Sequence, residues 1–103
     1  PVLLAVTFVK GRPGFERDGS FSTKKEDRWQ MFDVGVACQT FCLAAHNAGL
    51  GTVIMGIWDE DGITKLLKLP DDQELAALIA VGWPDVDPDV PMRKSVDELL
   101  TYL

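Results

Sequence analysis

The chain predicts an α/β-like domain built on a mixed or parallel sheet, and three features of its sequence carry that expectation. Two apolar, β-branched runs, Val2–Val9 and Thr52–Trp58, have the length and composition of buried strands. Between them lies a long segment with helical patterning that stops at Gly49. A third apolar run, Leu75–Trp83, contains Leu78-Ile79-Ala80-Val81 and favours another strand. The resulting order is β, loop, long α, β, short α, β, loop, α.

Val2–Val9 is continuous apolar sequence closed by Lys10-Gly11-Arg12-Pro13-Gly14, which predicts a strand buried on both faces and then a turn. Phe15–Asp27 is polar and without periodicity, a loop of the length that often forms a lid or binding loop. The long helix begins between Lys24 and Trp29, where Thr23 and Glu26 have the spacing of a capping box, and runs to about Ala48. Its apolar positions Phe32, Val36, Cys38, Phe41, Leu43 and Ala45 nearly encircle it, with Gly35, Ala37, Ala44 and Ala48 between them. That pattern predicts a buried helix in the middle of an assembly, which a second backbone can approach closely. Asp59 is placed to cap a short helix through Gly62–Leu67, ended by Leu69-Pro70-Asp71-Asp72. Asp85–Pro91 reads as a loop, and Ser95 with Glu98 forms a second capping box that starts a last helix to Leu103.

The 16 acidic residues against 10 basic ones give a net charge of −6, which argues against nucleic acid as a partner. No apolar run approaches the roughly 20 residues of a membrane span. Cys38 and Cys42 sit four apart on one helix, too far for a disulfide, and fit a reducing, cytoplasmic setting. With neither a disulfide framework nor a metal cage, a domain this short is expected to draw stability from a partner subunit, a cofactor or more of the same domain. The opening at Pro1 directly into core-strand sequence adds the expectation of a preceding N-terminal part.

Gly49-x-Gly51-x-x-x-x-Gly56 has glycines but not the order of a dinucleotide fingerprint, because a helix precedes the turn and a strand follows it. Ending a helix and starting a strand accounts for Gly49 and Gly51. Gly56 is left over, and a glycine within a strand often marks close approach by a ligand or another backbone. Cys38 and Cys42 read as core residues, and His46 has no nucleophile beside it that would make a triad. Arg93-Lys94 is either a pair of solvated charges or a phosphate contact.

Taken in order, these blocks resemble the C-terminal portion of the nitroreductase family of FMN-dependent, NAD(P)H-using oxidoreductases. The residues that carry the resemblance are Phe32-Asp33-Val34-Gly35-Val36-Ala37-Cys38-Gln39, Leu43 to Thr52, Ile54-Met55-Gly56, Leu66 to Pro70, Ile79 to Pro84, and Arg93 to Leu99. The resemblance implies an α+β fold with α/β/α layers, incomplete at its N-terminus, with residues 1–103 forming the C-terminal part of a single domain. It implies a homodimer with the long helices packed across its axis and FMN in a cleft at the interface. The strand after the Gly-Leu-Gly turn would run along the flavin, which assigns Val53, Ile54, Met55 and Gly56 to cofactor binding. Several relatives carry Pro-Ile-Glu-Gly there, and Met55 departs from them. Arg93 or Lys94 would take the FMN phosphate, Arg93 being favoured for its planar fork. The family's other phosphate element, an Arg-Ser-x-Arg stretch, is not in this sequence. The implied activity passes hydride from NAD(P)H through flavin to a nitroaromatic, quinone or similar small-molecule acceptor. It requires no catalytic side chain and no metal. Two alternatives stand beside it: a non-catalytic, flavin-less remnant serving dimerisation or interaction, and a flavin-destructase or dehalogenase-type relative.

Overall fold

Val2–Val9 forms the first strand, β1, as its β-branched run predicts. In the computed structural model, which describes residues 1–103, there follow α1 (Arg28–Asn47), β2 (Gly51–Met55), α2 (Glu60–Leu67), β3 (Gln73–Gly82) and α3 (Val96–Leu99). The three strands form one sheet in the order β1-β3-β2, with β3 in the centre.

Both pairings are antiparallel, which corrects the expected mixed or parallel sheet. A parallel neighbour requires a crossover that lays its helix over the sheet. Here α2 buries no residue, and the β2–α2–β3 segment simply returns the chain alongside itself. The β1–β3 register shifts between Val6 and Thr7, an irregularity that two antiparallel strands accommodate with a local twist.

The helix ends follow local chemistry more closely than the spacing of residue types. At the C-terminus of α1 the Leu50 N–H donates to the Ala45 carbonyl and the Gly49 N–H to that of His46, both at 2.9 Å. With Gly49 at φ +77°, this is a Schellman motif, and it reverses the chain into β2. The N-terminal capping box does not form. Thr23 Oγ1 instead accepts from the Lys25 N–H and from Trp29 Nε1, Glu26 adopts φ +56°, and Asp27 becomes the N-cap without a side-chain bond. Asp59 does cap α2, accepting from the Gly62 N–H at 3.1 Å, and the Ser95–Glu98 capping box is complete on both sides. The helix it starts ends at Leu99, short of the expected Leu103.

The core lies between α1 and β3. Leu75, Ala77, Leu78 and Ile79 are buried on the central strand, with Ile79 the most enclosed. On α1 the covered residues Gln30, Val34, Cys38, Cys42 and Ala45 share one face at helical spacing, and Ala37, Cys38 and Phe41 border Leu4, Val6 and Ile79. Burial pushes the Cys38 thiol up, and Cys42 one turn away adds to the effect; both thiols are free. Gln30 Oε1 accepts from the Gly11 N–H at 2.7 Å, fixing the turn after β1 onto the helix.

Two expectations of deep burial are corrected. β1 is an outer strand, and Val2 and Leu3 are exposed. On α1 the stripe opposite the sheet, Phe32, Val36 and Leu43, is also exposed, so the helix is apolar all round but covered on one side. One helix on one sheet is the only layering these residues build.

Candidate functional site

β2 continues directly from the Schellman turn and is the edge strand beside β3, with Val53 opposite Ala80, Ile54 opposite Ile79 and Met55 opposite Leu78. An edge strand turns the N–H and C=O of every second residue away from its neighbour, leaving a row of donors and acceptors free. Val53 and Ile54 are about half exposed on opposite faces of the strand. The strand stops at Met55, so Gly56 lies just beyond it rather than inside it as the sequence suggested.

A Cβ built on Gly56 would meet nothing within 4 Å, and its φ is not in the left-handed region. Neither backbone strain nor packing within this chain therefore asks for glycine there. Two residues on, the Trp58 Nε1 is buried and donates to no acceptor. An orphaned buried donor costs about 1–3 kcal/mol, so this end of β2 holds a hydrogen-bonding group without its partner.

Arg93 and Lys94 are exposed in the irregular segment ahead of α3. Arg93 reaches only the neighbouring Met92 carbonyl, at 3.5 Å. The concavity bordering β2 and β3 is lined by Gly51–Val53 and Ala80–Val86, and neither basic residue takes part in it. The site residues read from sequence thus fall in two places: Val53, Ile54, Met55 and Gly56 together on one edge, and Arg93 and Lys94 on a separate exposed segment.

A group that the sequence reading did not assemble stands at the other end of α1. Lys25, Arg28, Trp29 and Phe32 line a cleft of about 420 Å³. The length of the 15–27 loop was the signal for it. What the sequence concealed was which of those side chains converge, because the failed capping box sets the direction of the chain there. No cluster of His, Cys, Asp and Glu could hold a metal ion, and no helix is long and apolar enough to cross a membrane.

The long helix, the turn and the antiparallel sheet together form a mixed helix-and-strand unit that matches proteins of the nitroreductase fold. A nitroreductase family protein from Clostridium difficile 630 superposes with a TM-score of 0.72 at 22% identity, covering 97% of this chain and 58% of that one. The family model described as "Nitroreductase family" matches residues 1–83, and the chain belongs to that family. NADPH:FMN oxidoreductase from Vibrio harveyi, solved with NAD+, is 27% identical with a TM-score of 0.66, covering 73% of this chain and 34% of that one. Iodotyrosine deiodinase 1 of Sus scrofa is 31% identical over 104 residues, 97% of this chain and 34% of that protein. The chain spans about a third of the length of the curated relatives it matches.

Proposed function

We propose that these residues form one wall of an FMN site in a homodimeric, NAD(P)H-dependent oxidoreductase acting on a nitroaromatic, quinone or similar acceptor. The observation that carries the reading is Gly56, a glycine with open space before it at the end of an edge strand, in a chain of the nitroreductase family. FMN, when bound, supplies the hydride and electron chemistry; the protein orients it. The free backbone row of β2 offers donors and acceptors to a planar heterocycle, and the missing side chain at Gly56 lets it come close. The apolar flanks Val53, Ile54 and Met55 exclude water from that edge. Arg93, with Lys94 beside it, supplies a cation for the phosphate, its guanidinium engaged by nothing stronger than a neighbouring carbonyl. The exposed stripe of α1 is the surface for the second copy, and Gly35 beside Phe32 and Val36 allows close helix approach.

The test is Gly56→Val in the full-length protein. A Cβ added there meets no atom of this chain, so fold and oligomeric state are expected to persist while bound FMN, read from the flavin absorbance of the purified protein, is lost. A variant that retains wild-type flavin affinity would overturn the placement of the cofactor.

The match to iodotyrosine deiodinases over nearly the whole chain favours one second reading, reductive removal of iodide from an iodinated aromatic ring. Iodide release from 3-iodotyrosine, set against reduction of a nitroaromatic and a quinone at equal enzyme concentration, separates the two.

A further inference from the structure

Two aspartates in this chain precede a glycine, in Asp18-Gly19 and in Asp61-Gly62. Both steps share a chemical liability, because glycine has no side chain to shield its peptide nitrogen from the aspartyl carboxyl. Their surroundings differ. Asp61 and Gly62 lie in the first turn of α2, where the Gly62 N–H donates to Asp59 Oδ1 at 3.1 Å. Closing a ring between Asp61 Cγ and that nitrogen would rotate the peptide out of helical geometry and break the cap.

Asp18 and Gly19 are exposed at the tip of the 15–27 loop, outside any helix or strand. The tip is a short hairpin. The Glu16 N–H donates to the Ser20 carbonyl at 2.8 Å, and Phe15 pairs with Phe21, their ring centroids 5.1 Å apart. At its apex the Ser20 N–H and hydroxyl both donate to Asp18 Oδ1, at 3.0 and 2.6 Å. These bonds fold the carboxyl back over the Gly19 peptide, the arrangement of an Asx turn. Gly19 is tied by its own N–H to the Glu16 carbonyl at 3.1 Å. A Cβ built there meets nothing within 4 Å, so no packing resists rotation of this peptide.

We propose that Asp18 is a site of spontaneous backbone isomerisation to isoaspartate, which alters the loop as the protein ages. The Gly19 nitrogen attacks Asp18 Cγ, and the carboxyl hydroxyl leaves with the amide proton as water. A succinimide ring results, with no change of oxidation state. Water then opens it at either carbonyl. Opening at the β-carbonyl restores aspartate, and opening at the α-carbonyl gives isoaspartate, whose backbone runs through Cβ and Cγ. The extra backbone carbon disrupts the Asp18–Ser20 bonds and the pairing of Glu16 with Ser20. The next bond along the hairpin, from the Ser22 N–H to the Gly14 carbonyl at 2.9 Å, ties the loop to the turn packed on Trp29.

Peptide mapping of the aged full-length protein tests this, with electron-transfer fragmentation to tell isoaspartate from aspartate. In the native protein, isoaspartate at residue 18 is expected to exceed that at residue 61 roughly tenfold or more, the rate factor that a capped helical turn holds back. In denaturant the ratio should fall toward unity, because both steps are then free. Asp18→Asn has the better leaving group at neutral pH and should convert faster, with loss of ammonia. Asp18→Glu keeps the charge but would have to close a larger ring, and should stay unconverted. Hydrogen exchange at the Ser22 amide should quicken in aged wild type and not in aged Asp18→Glu protein. A native ratio near unity, or no isoaspartate at residue 18 in the time the denatured chain accumulates it, would overturn the site. Unchanged Ser22 exchange in isomerised protein would overturn its effect on the loop.

Discussion

Gly14 shows how one residue holds the loop against the helix. It sits at φ +87°, and a Cβ there would lie 2.7 Å from the Glu26 carbonyl oxygen and 2.9 Å from Trp29 Cδ1. Both the backbone angle and the space therefore exclude a side chain. Gly14→Ala is expected to lower stability by about 1–3 kcal/mol and to loosen Trp29, read as a lower denaturation midpoint and a changed tryptophan emission. Gly19 is the control: it has a similar φ of +86° with nothing within 4 Å of a built Cβ, so Gly19→Ala should cost less. Gly56 stands at the opposite extreme, with neither a positive φ nor a neighbour, which is why its substitution is expected to report on a ligand and not on the fold. All three look alike in the sequence. Only the geometry sorts them into a packed turn, an open turn and an approach site.

Among the elements, those defined by local chemistry were the readable ones. The Schellman end of α1 and the Asp59 and Ser95–Glu98 caps form as their residues predict, because each depends on contacts within a few positions. The Thr23–Glu26 box has the same spacing as Ser95–Glu98 and fails, because Thr23 is already engaged by a tryptophan six residues on. Sheet direction was unreadable for the same reason in larger form. Whether α2 crosses the sheet depends on tertiary packing that its eight residues do not encode. Of the candidate site, β2 could be read from its glycines and its apolar run, whereas the cleft at Lys25 and Arg28 depends on that one failed cap. The cap that does form carries a pH prediction. The Ser95 N–H and hydroxyl donate to Glu98 at 2.8 and 3.0 Å, and these bonds hold the Glu98 carboxyl below its ordinary range. A folded-state pKa that is lowered contributes stability above the unfolded value and loses it as pH falls through the folded one. The α3 cap is thus expected to persist through neutral and mildly acid pH and to open at the acid end. A carbon-13 NMR titration of the Glu98 carboxyl should show this, and Ser95→Ala should return the titration toward the ordinary glutamate range.

At the scale of the whole molecule, the shape and the exposed surface point the same way. The radius of gyration is 17.1 Å, against about 13 Å for a compact domain of this size, and only 7 of 103 residues are buried. A core that small leaves large apolar side chains on the surface, and the most regular array of them is Phe32, Val36 and Leu43, at 59%, 55% and 60% exposure along one side of α1. An exposed stripe on a twenty-residue helix, facing away from its own sheet, marks an interaction surface. Whatever covers it lies outside these residues, and the proposed homodimer assigns it to the same stripe of a second copy, helix against helix, as a two-fold axis requires. Leu43→Glu tests this assignment. Because Leu43 packs against little within its own chain, helix content should be unchanged by circular dichroism. Two like charges brought together at a two-fold interface should weaken self-association by roughly a hundredfold or more, read by sedimentation velocity as a shift from dimer to monomer. Asp61→Lys on α2, equally exposed but away from the stripe, should leave association as it is. A Leu43→Glu protein that sediments as the wild type does would place the second copy elsewhere. A Leu43→Glu protein that became monomeric and yet kept its flavin would separate the cofactor edge at β2 from the helix face, showing that the two surfaces of the segment from Asp33 to Gly56 serve different partners.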